Sequence, residues 1–336
     1  MQPRFFKSSA AGRPGDLKKF LPVSVNFSLE SLYPAMCMVE RRHILPLLGD
    51  ALFERLAGLC DSGVPDSDTH KAVLQEALDL VRLAVARLSY CSAYDELSIR
   101  LDDSGASAQA DKDRRLFKYQ EDNLKRGLFD DGYNALDSAL ALFASNAEAF
   151  PEYANSPWMK SVSMGLVRSA SEFDDVVSIG GSILVFSRMS RWMRIVEDLH
   201  LSHRIGGDTL ADFVAHRYET SAAYIAVIGD LVRYVVFKSM SLGAADLKCD
   251  PTSRGVLYRE FHAYDDGETW MQLPAGELQR KCAVYDGYAE SYLGRAISEM
   301  NVNPEDYPCY ARFAGIGNPT RNRLVRDNDN KKTVVL

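Results

Sequence analysis

The chain has 336 residues, 46% hydrophobic and 25% charged, an ordinary globular balance whose length fits about two domains of roughly 150 residues. A net charge of -7 and a pI near 5.5 leave no global positive field to hold a nucleic-acid backbone, so sequence-specific nucleic-acid binding is not expected. The most apolar stretch, Tyr224 to Met240, is broken by Asp230, Arg233 and Lys238, so no membrane span is expected either.

Residues 1–19 read as an N-terminal arm. Arg4, Lys7, Arg13, Lys18 and Lys19 lie there with no apolar core after them, unlike a secretory signal, and synthesis in the cytoplasm is expected. A first helical unit spans 20–155. It opens on a short extended lead at Val23 to Val25, and a helix follows, N-capped at Ser28 or Ser31, with Met36, Val39, His43 and Leu47 as its apolar stripe. Pro46 should end or kink that helix near Leu45. Gly49 then closes a turn before Asp50 to Leu59, whose Leu52, Phe53, Leu56 and Leu59 mark one helix face. The long stretch Thr69 to Leu97 reads as the core helix, and burial is expected at Leu80 and Val81. A glycine-punctuated segment follows at Ser98 to Ala106, then a long helix at Lys112 to Asn146 that stops before Phe150-Pro151-Glu152-Tyr153.

After a linker at 156–172, a second unit spans 173–310 in the same order. Its extended lead is Val176 to Ile179, and its core helix is Ser221 to Leu242, with Leu231 and Val232 buried. A hairpin follows in Lys248 to Tyr264, formed by Val256 to Tyr258 and Phe261 to Tyr264, and then a helix at Glu277 to Met300. Residues 311–336 read as a tail. Gly315, Gly317 and Pro319 oppose regular structure, the middle is basic, and the end is apolar. Arg321, Arg323, Arg326, Val334, Val335 and Leu336 are its candidate partner-contacting residues.

The two units are written alike. Val39-Glu40 recurs as Val196-Glu197 at a spacing of 157, and Asp79-Leu80-Val81-Arg82 recurs identically at Asp230, a spacing of 151. Asp131-Gly132-Tyr133 recurs at Asp286, a spacing of 155, and Phe150-Pro151-Glu152-Tyr153 is echoed by Tyr307-Pro308-Cys309-Tyr310 at 157. Four landmarks in one order imply a mainly α protein built of two tandem copies of one unit, each with a short β-strand or hairpin element.

No residue set reads as catalytic, cofactor-binding or metal-binding. His200 and His203 share one helix face, but no Glu or Cys follows at hydrolase spacing. The acidic pairs Asp102-Asp103, Asp130-Asp131, Asp174-Asp175 and Asp265-Asp266 sit in turn sequences without a calcium-loop pattern. Gly315-Ile316-Gly317 lacks the context of a phosphate loop. Six cysteines without a C-x-x-C pair fit reduced thiols. The aromatics Tyr133, Tyr153, Trp158, Tyr288, Tyr307 and Tyr310 are read as packing the close of each unit.

The phrase Val39-Glu40 followed by Ile44-Leu45-Pro46-Leu47-Leu48-Gly49 and Leu52, with Phe117-Lys118-Tyr119-Gln120 and Phe150-Pro151-Glu152-Tyr153, resembles an uncharacterised family of Bacteroidales-type gut bacteria and their phage-like loci. The half-unit is similar in layout to the head-to-tail connector (adaptor) proteins of tailed phages. That resemblance implies a non-enzymatic structural protein of a phage or prophage-derived particle. It would be a component of a homo-oligomeric ring against neighbouring virion proteins, located in the particle after cytoplasmic synthesis. Two other classes stay open: a soluble helical interaction module, and an enzyme with a site between the two units.

Overall fold

The computed structural model describes residues 2–6, 17–24, 27–65, 69–97, 99–102, 105–108, 117–217, 221–247, 257–260, 269–272 and 275–316. Among them the protein is mainly helical, and the chain divides into two compact units, Met1–Ser161 and Val162–Leu336.

In the first unit, 3-10 turns at Leu17–Lys19 and Leu29–Leu32 lead to α1 (Tyr33–Val39), a π-turn (Glu40–Ile44), α2 (Leu45–Leu48), α3 (Asp50–Ser62) and α4 (Lys71–Leu97). Strands β1 (Ile99–Asp102) and β2 (Gly105–Ala108) pair antiparallel, with Ile99 opposite Ala108. The long α5 (Lys118–Ser145) returns along α4, and α6 (Pro151–Ala154) and α7 (Pro157–Val162) follow. Leu74, Leu78, Val81, Val85 and Leu88 recur at three- and four-residue steps, so one face of α4 is apolar and meets Leu128, Leu136, Leu140 and Phe143 of α5 in the core. The helices approach closely at Gly132, where a Cβ would fall 2.7 Å from Leu88.

The second unit contains α8 (Ala170–Asp174), α9 (Ile183–Ile195), a π-turn (Val196–Leu201), α10 (Ser202–Ile205), α11 (Gly207–Ala215) and α12 (Ala222–Leu247). The pair β3 (Leu257–Glu260) and β4 (Thr269–Gln272) comes next, then α13 (Ala275–Val302) and α14 (Pro308–Ala314). Val227, Leu231 and Val235 of α12 are buried, as are Leu293 and Met300 of α13 and Phe186, Met189 and Met193 of α9. Val81 and Val232 are buried as expected, whereas Leu80 is only half-buried.

Several expectations are corrected. Residues 1–19 are not simply an arm: Phe5 and Phe6 are buried and stack edge-on against Phe53 and Phe20, while the Arg82 guanidinium lies over Phe6 and Phe20. The leads at Val23 and Val176 are not strands among the described residues. A strand needs a partner ladder, and the Val176 and Val177 amides instead close a turn on the Phe173 carbonyl. β3 pairs with Thr269–Gln272 rather than with Phe261 to Tyr264, which lie outside the described residues. Pro46 does not end the helical run, which continues to Leu48, and a π-turn at Glu40–Ile44 lies directly before α2. Pro151 and Pro308 start α6 and α14 rather than ending the helices before them.

Helix also reaches into the expected tail. Gly315 takes the left-handed conformation after α14, its amide donates to Arg312 and that of Ile316 to Ala311. This is a Schellman stop, so Gly315-Ile316-Gly317 begins as a helix terminus. The tail residues Arg321, Arg323, Arg326, Val334, Val335 and Leu336 lie outside the described residues.

Candidate functional site

Two carboxylates sit where carboxylates are rarely found. Glu40 is 3% exposed and Glu197 7%; Glu40 is the first residue of its π-turn and Glu197 the second of its own, and the Leu45 amide bonds the Glu40 carbonyl and the Ser202 amide the Glu197 carbonyl, both five residues back. A buried acid needs donors, and here they are backbone amides of a segment preceding the unit's helices. The Arg4 amide bonds both Glu40 carboxylate oxygens at 2.9 Å, and the Phe5 amide bonds Oε1 at 2.9 Å. The Leu166 amide bonds Glu197 Oε1 at 2.8 Å.

Each carboxylate therefore clasps a short peptide whose side chains enter the core: Phe5 and Phe6 at Glu40, Leu166 and Val167 at Glu197. Burial raises both carboxyl pKa values, and the bonded amides oppose it only in part. The second clasp is tied again, since Arg217 Nε donates to the Leu166 carbonyl at 2.6 Å and Arg168 to the Val214 carbonyl at 2.6 Å. Arg217 also pairs with Glu172 at 3.1 Å. The expected linker 156–172 thus belongs in large part to the second unit. Its approach is so close that a Cβ at Gly165 would fall 2.6 Å from Glu197 Oε1.

A protonation test follows from these shifts. A carboxyl whose folded pKa is raised favours the fold below its unfolded value and loses that contribution as pH rises through the folded value. Glu197→Gln should therefore lose stability relative to the native chain as pH falls from 7 towards 4. Glu197→Ala, which strips the Leu166 amide of its acceptor, should cost about 1–3 kcal/mol at pH 7. Urea midpoints at a series of pH values check both; parallel profiles for the Gln variant and the native chain would refute the first.

The other candidates are structural in this geometry. His43 Nδ1 lies 3.2 Å from the Tyr133 hydroxyl, and its pKa is lowered by burial and by Arg42. His203 is exposed and His200 half-buried; among the described residues no group of three or more His, Cys, Asp or Glu could hold a metal. Asp174 accepts from the amides of Ile179 and Gly181, which hold its pKa down and cap the loop after α8. Tyr153 is buried, its ring tilted against Phe143 and the half-buried Trp158, but Tyr288 is exposed. A cleft of about 580 Å³ between α12 and α13 holds Asp230, already paired with Arg233 at 3.4 Å and Arg295 at 3.2 Å. A second, of 360 Å³, runs beside the Glu40 clasp and is lined by Arg4, Glu40, Asp50, Phe53 and Glu54 among others.

The sequence reading uses Val-Glu as a repeat landmark yet passes over the glutamates as a site. The available signal was a charged residue, identical in both halves, beside an apolar stripe position. No described helix is long and apolar enough to cross a membrane. No curated protein and no solved structure matches the chain. Residues 44–162, from the end of the first π-turn through α7, match the model of a family of unknown function (DUF6712).

Proposed function

We propose that the protein is a non-enzymatic structural or assembly component built from two tandem copies of one helical unit, and that it works as a head-to-tail connector-like ring subunit in a phage or prophage-derived particle. The observation that carries this reading is the clasp. A π-turn glutamate holding the backbone of a preceding peptide occurs at Glu40 and, 157 residues on, at Glu197, and it gives rigidity rather than chemistry.

Other pairs support the duplication. Gly49 packs on Ser156 and Gly206 on Phe313, and 157 residues separate the members of each comparison. Arg87 pairs with Asp131 at 3.4 Å, and Lys238 with Asp286 at 2.8 Å, at the landmark spacings of 151 and 155. Both units also carry a two-stranded element between their two longest helices. Repeated units in one chain suit an assembly whose contacts are themselves repeated.

Size-exclusion chromatography with light scattering tests the ring: a closed oligomer of defined mass is expected, and a monomer at all concentrations would overturn it. Removal of residues 318–336 should leave the melting temperature nearly unchanged and weaken assembly. A large drop in melting temperature with unaltered assembly would place the tail on its own domain. A second reading, a helical interaction module acting as monomer or dimer, draws on Phe117 and Tyr119, stacked at 5.9 Å and left 69% and 62% exposed, since aromatic side chains of this kind anchor interfaces.

A further inference from the structure

The two units differ at one matched place, and the difference opens a receptor in the first. Position 156 lies three residues beyond the tyrosine of Phe150-Pro151-Glu152-Tyr153, and position 313 three beyond that of Tyr307-Pro308-Cys309-Tyr310. Both approach the turn glycine of their own unit. A Cβ on Gly49 would fall 3.5 Å from the Ser156 Cβ, and one on Gly206 would fall 3.0 Å from the Phe313 Cβ. The backbones thus come near in the same way, but the second unit also lays a phenyl ring over its glycine, 2.7 Å from the added carbon. In the first unit the side chain is a serine, 4% exposed, whose Oγ accepts the Met159 amide of α7. A cavity of about 540 Å³ opens there, between residues 48–51 and 151–157.

What the second unit seats at this place, a phenyl ring, gives the chemistry of the occupant. About 150 Å³ suffices for a benzene ring, so the cavity is ample. Phe117 is the most exposed phenylalanine among the described residues, at 69%, and Tyr119 stacks on it at 5.9 Å and an interplanar angle of 10°. It cannot reach the cavity of its own chain. Phe117 caps the start of the 28-residue α5, which is about 40 Å long, and the cavity lies past the other end, where α6 follows. Charge agrees as well: Lys118 is exposed next to the ring, and Asp50 is exposed on the cavity wall.

We propose that the Phe117 ring of one copy of this chain seats over Gly49 of a second copy, in the place that Phe313 takes over Gly206. Lys118 then meets Asp50. Ring and cavity lie at opposite ends of α5, so each copy donates at one end and receives at the other. Such a contact is heterologous: it continues from copy to copy and closes or not according to its rotation. It rests on the assembly reading above and supplies the joint between subunits.

The test uses the full chain with a photoreactive phenylalanine analogue at position 117, mixed as isotope-labelled and unlabelled copies. Cross-links between differently labelled copies, from 117 to residues 48–51 or 151–157, are expected. Ser156→Phe, which gives the first unit the ring of the second, should abolish them. Ser156→Ala, which removes only the hydroxyl that caps α7, should keep them. Lys118→Asp should cut the yield severalfold, and Asp50→Lys added to it should restore it; this pair decides the matter if circular dichroism shows Ser156→Phe unfolded. Cross-links within one copy, to other residues, or none would overturn the proposal. So would a yield that neither Ser156→Phe, where folded, nor the charge pair changes. Light scattering on the same samples separates the two ideas. A ring without these cross-links sinks only the Phe117 contact, whereas the cross-links in open chains or dimers sink only the ring.

Discussion

Replacing Val81 with aspartate is expected to lower the unfolding free energy by about 3–5 kcal/mol, the range for an uncompensated charge in an apolar interior. Val81 is fully buried on the face of α4 that meets α5, among Leu78, Val85 and the leucines of α5. Arg82, next along the helix, is turned to Phe6 and Phe20, away from the face that Val81 occupies. The aspartate either stays charged without a partner or takes up a proton, and both outcomes penalise the fold. Leu80→Asp is the matched control, since Leu80 is half-buried and water reaches it; its cost should be markedly smaller. Chemical denaturation of both variants decides the matter, and equal midpoints would show that the two faces of α4 are not distinguished by burial.

The second large effect is expected at Gly206, in the turn between α10 and α11. Its φ of 90° and ψ of 141° lie where a side chain is strained, at about 1–3 kcal/mol. A Cβ there would also fall 2.7 Å from the Phe313 ring. Gly206→Ala therefore carries a backbone penalty and a steric one. Gly49 isolates the first: its φ is 76°, and the nearest foreign atom to an added Cβ is that of Ser156 at 3.5 Å, ordinary contact. Gly49→Ala should cost the backbone penalty alone, and Gly206→Ala more. Adding Phe313→Ala to Gly206→Ala should recover the steric part and leave the rest. If the double variant were no more stable than the sum of the singles, the ring contact would carry no energy.

The long helices were legible because their apolar residues repeat at helical spacing for many turns. α4 starts at Lys71 where Thr69 was expected, the ordinary ambiguity of a helix end, whereas α12 runs on past the expected Leu242 to Leu247. The turn at Gly49 was readable from the glycine itself, between two apolar-periodic segments. The clasps were not. Phe5-Phe6 and Leu166-Val167 are too short to show any periodicity, and their burial depends on a carboxylate more than 30 residues away in each case. A glutamate is read by default as solvent-facing, and only the tertiary donors around Glu40 and Glu197 make its burial tolerable. The extended leads failed differently: β-branched residues signal a strand only when an edge is there to receive them.

The two π-turns bear on the proposed duplication. Residues 39–44 and 196–201 share Val, Glu and His at the first, second and fifth positions and differ at the other three, so the turn does not need a fixed residue at those three. Length is another matter. A helix rotates about 100° per residue, so losing one residue would swing everything downstream by more than a quarter turn, carrying Gly49 or Gly206 away from its packing partner. No intermediate between keeping and losing a residue exists. Under the proposed duplication, an insertion of this kind passes whole to both copies, and the paired π-turns are the feature by which the two halves would be matched.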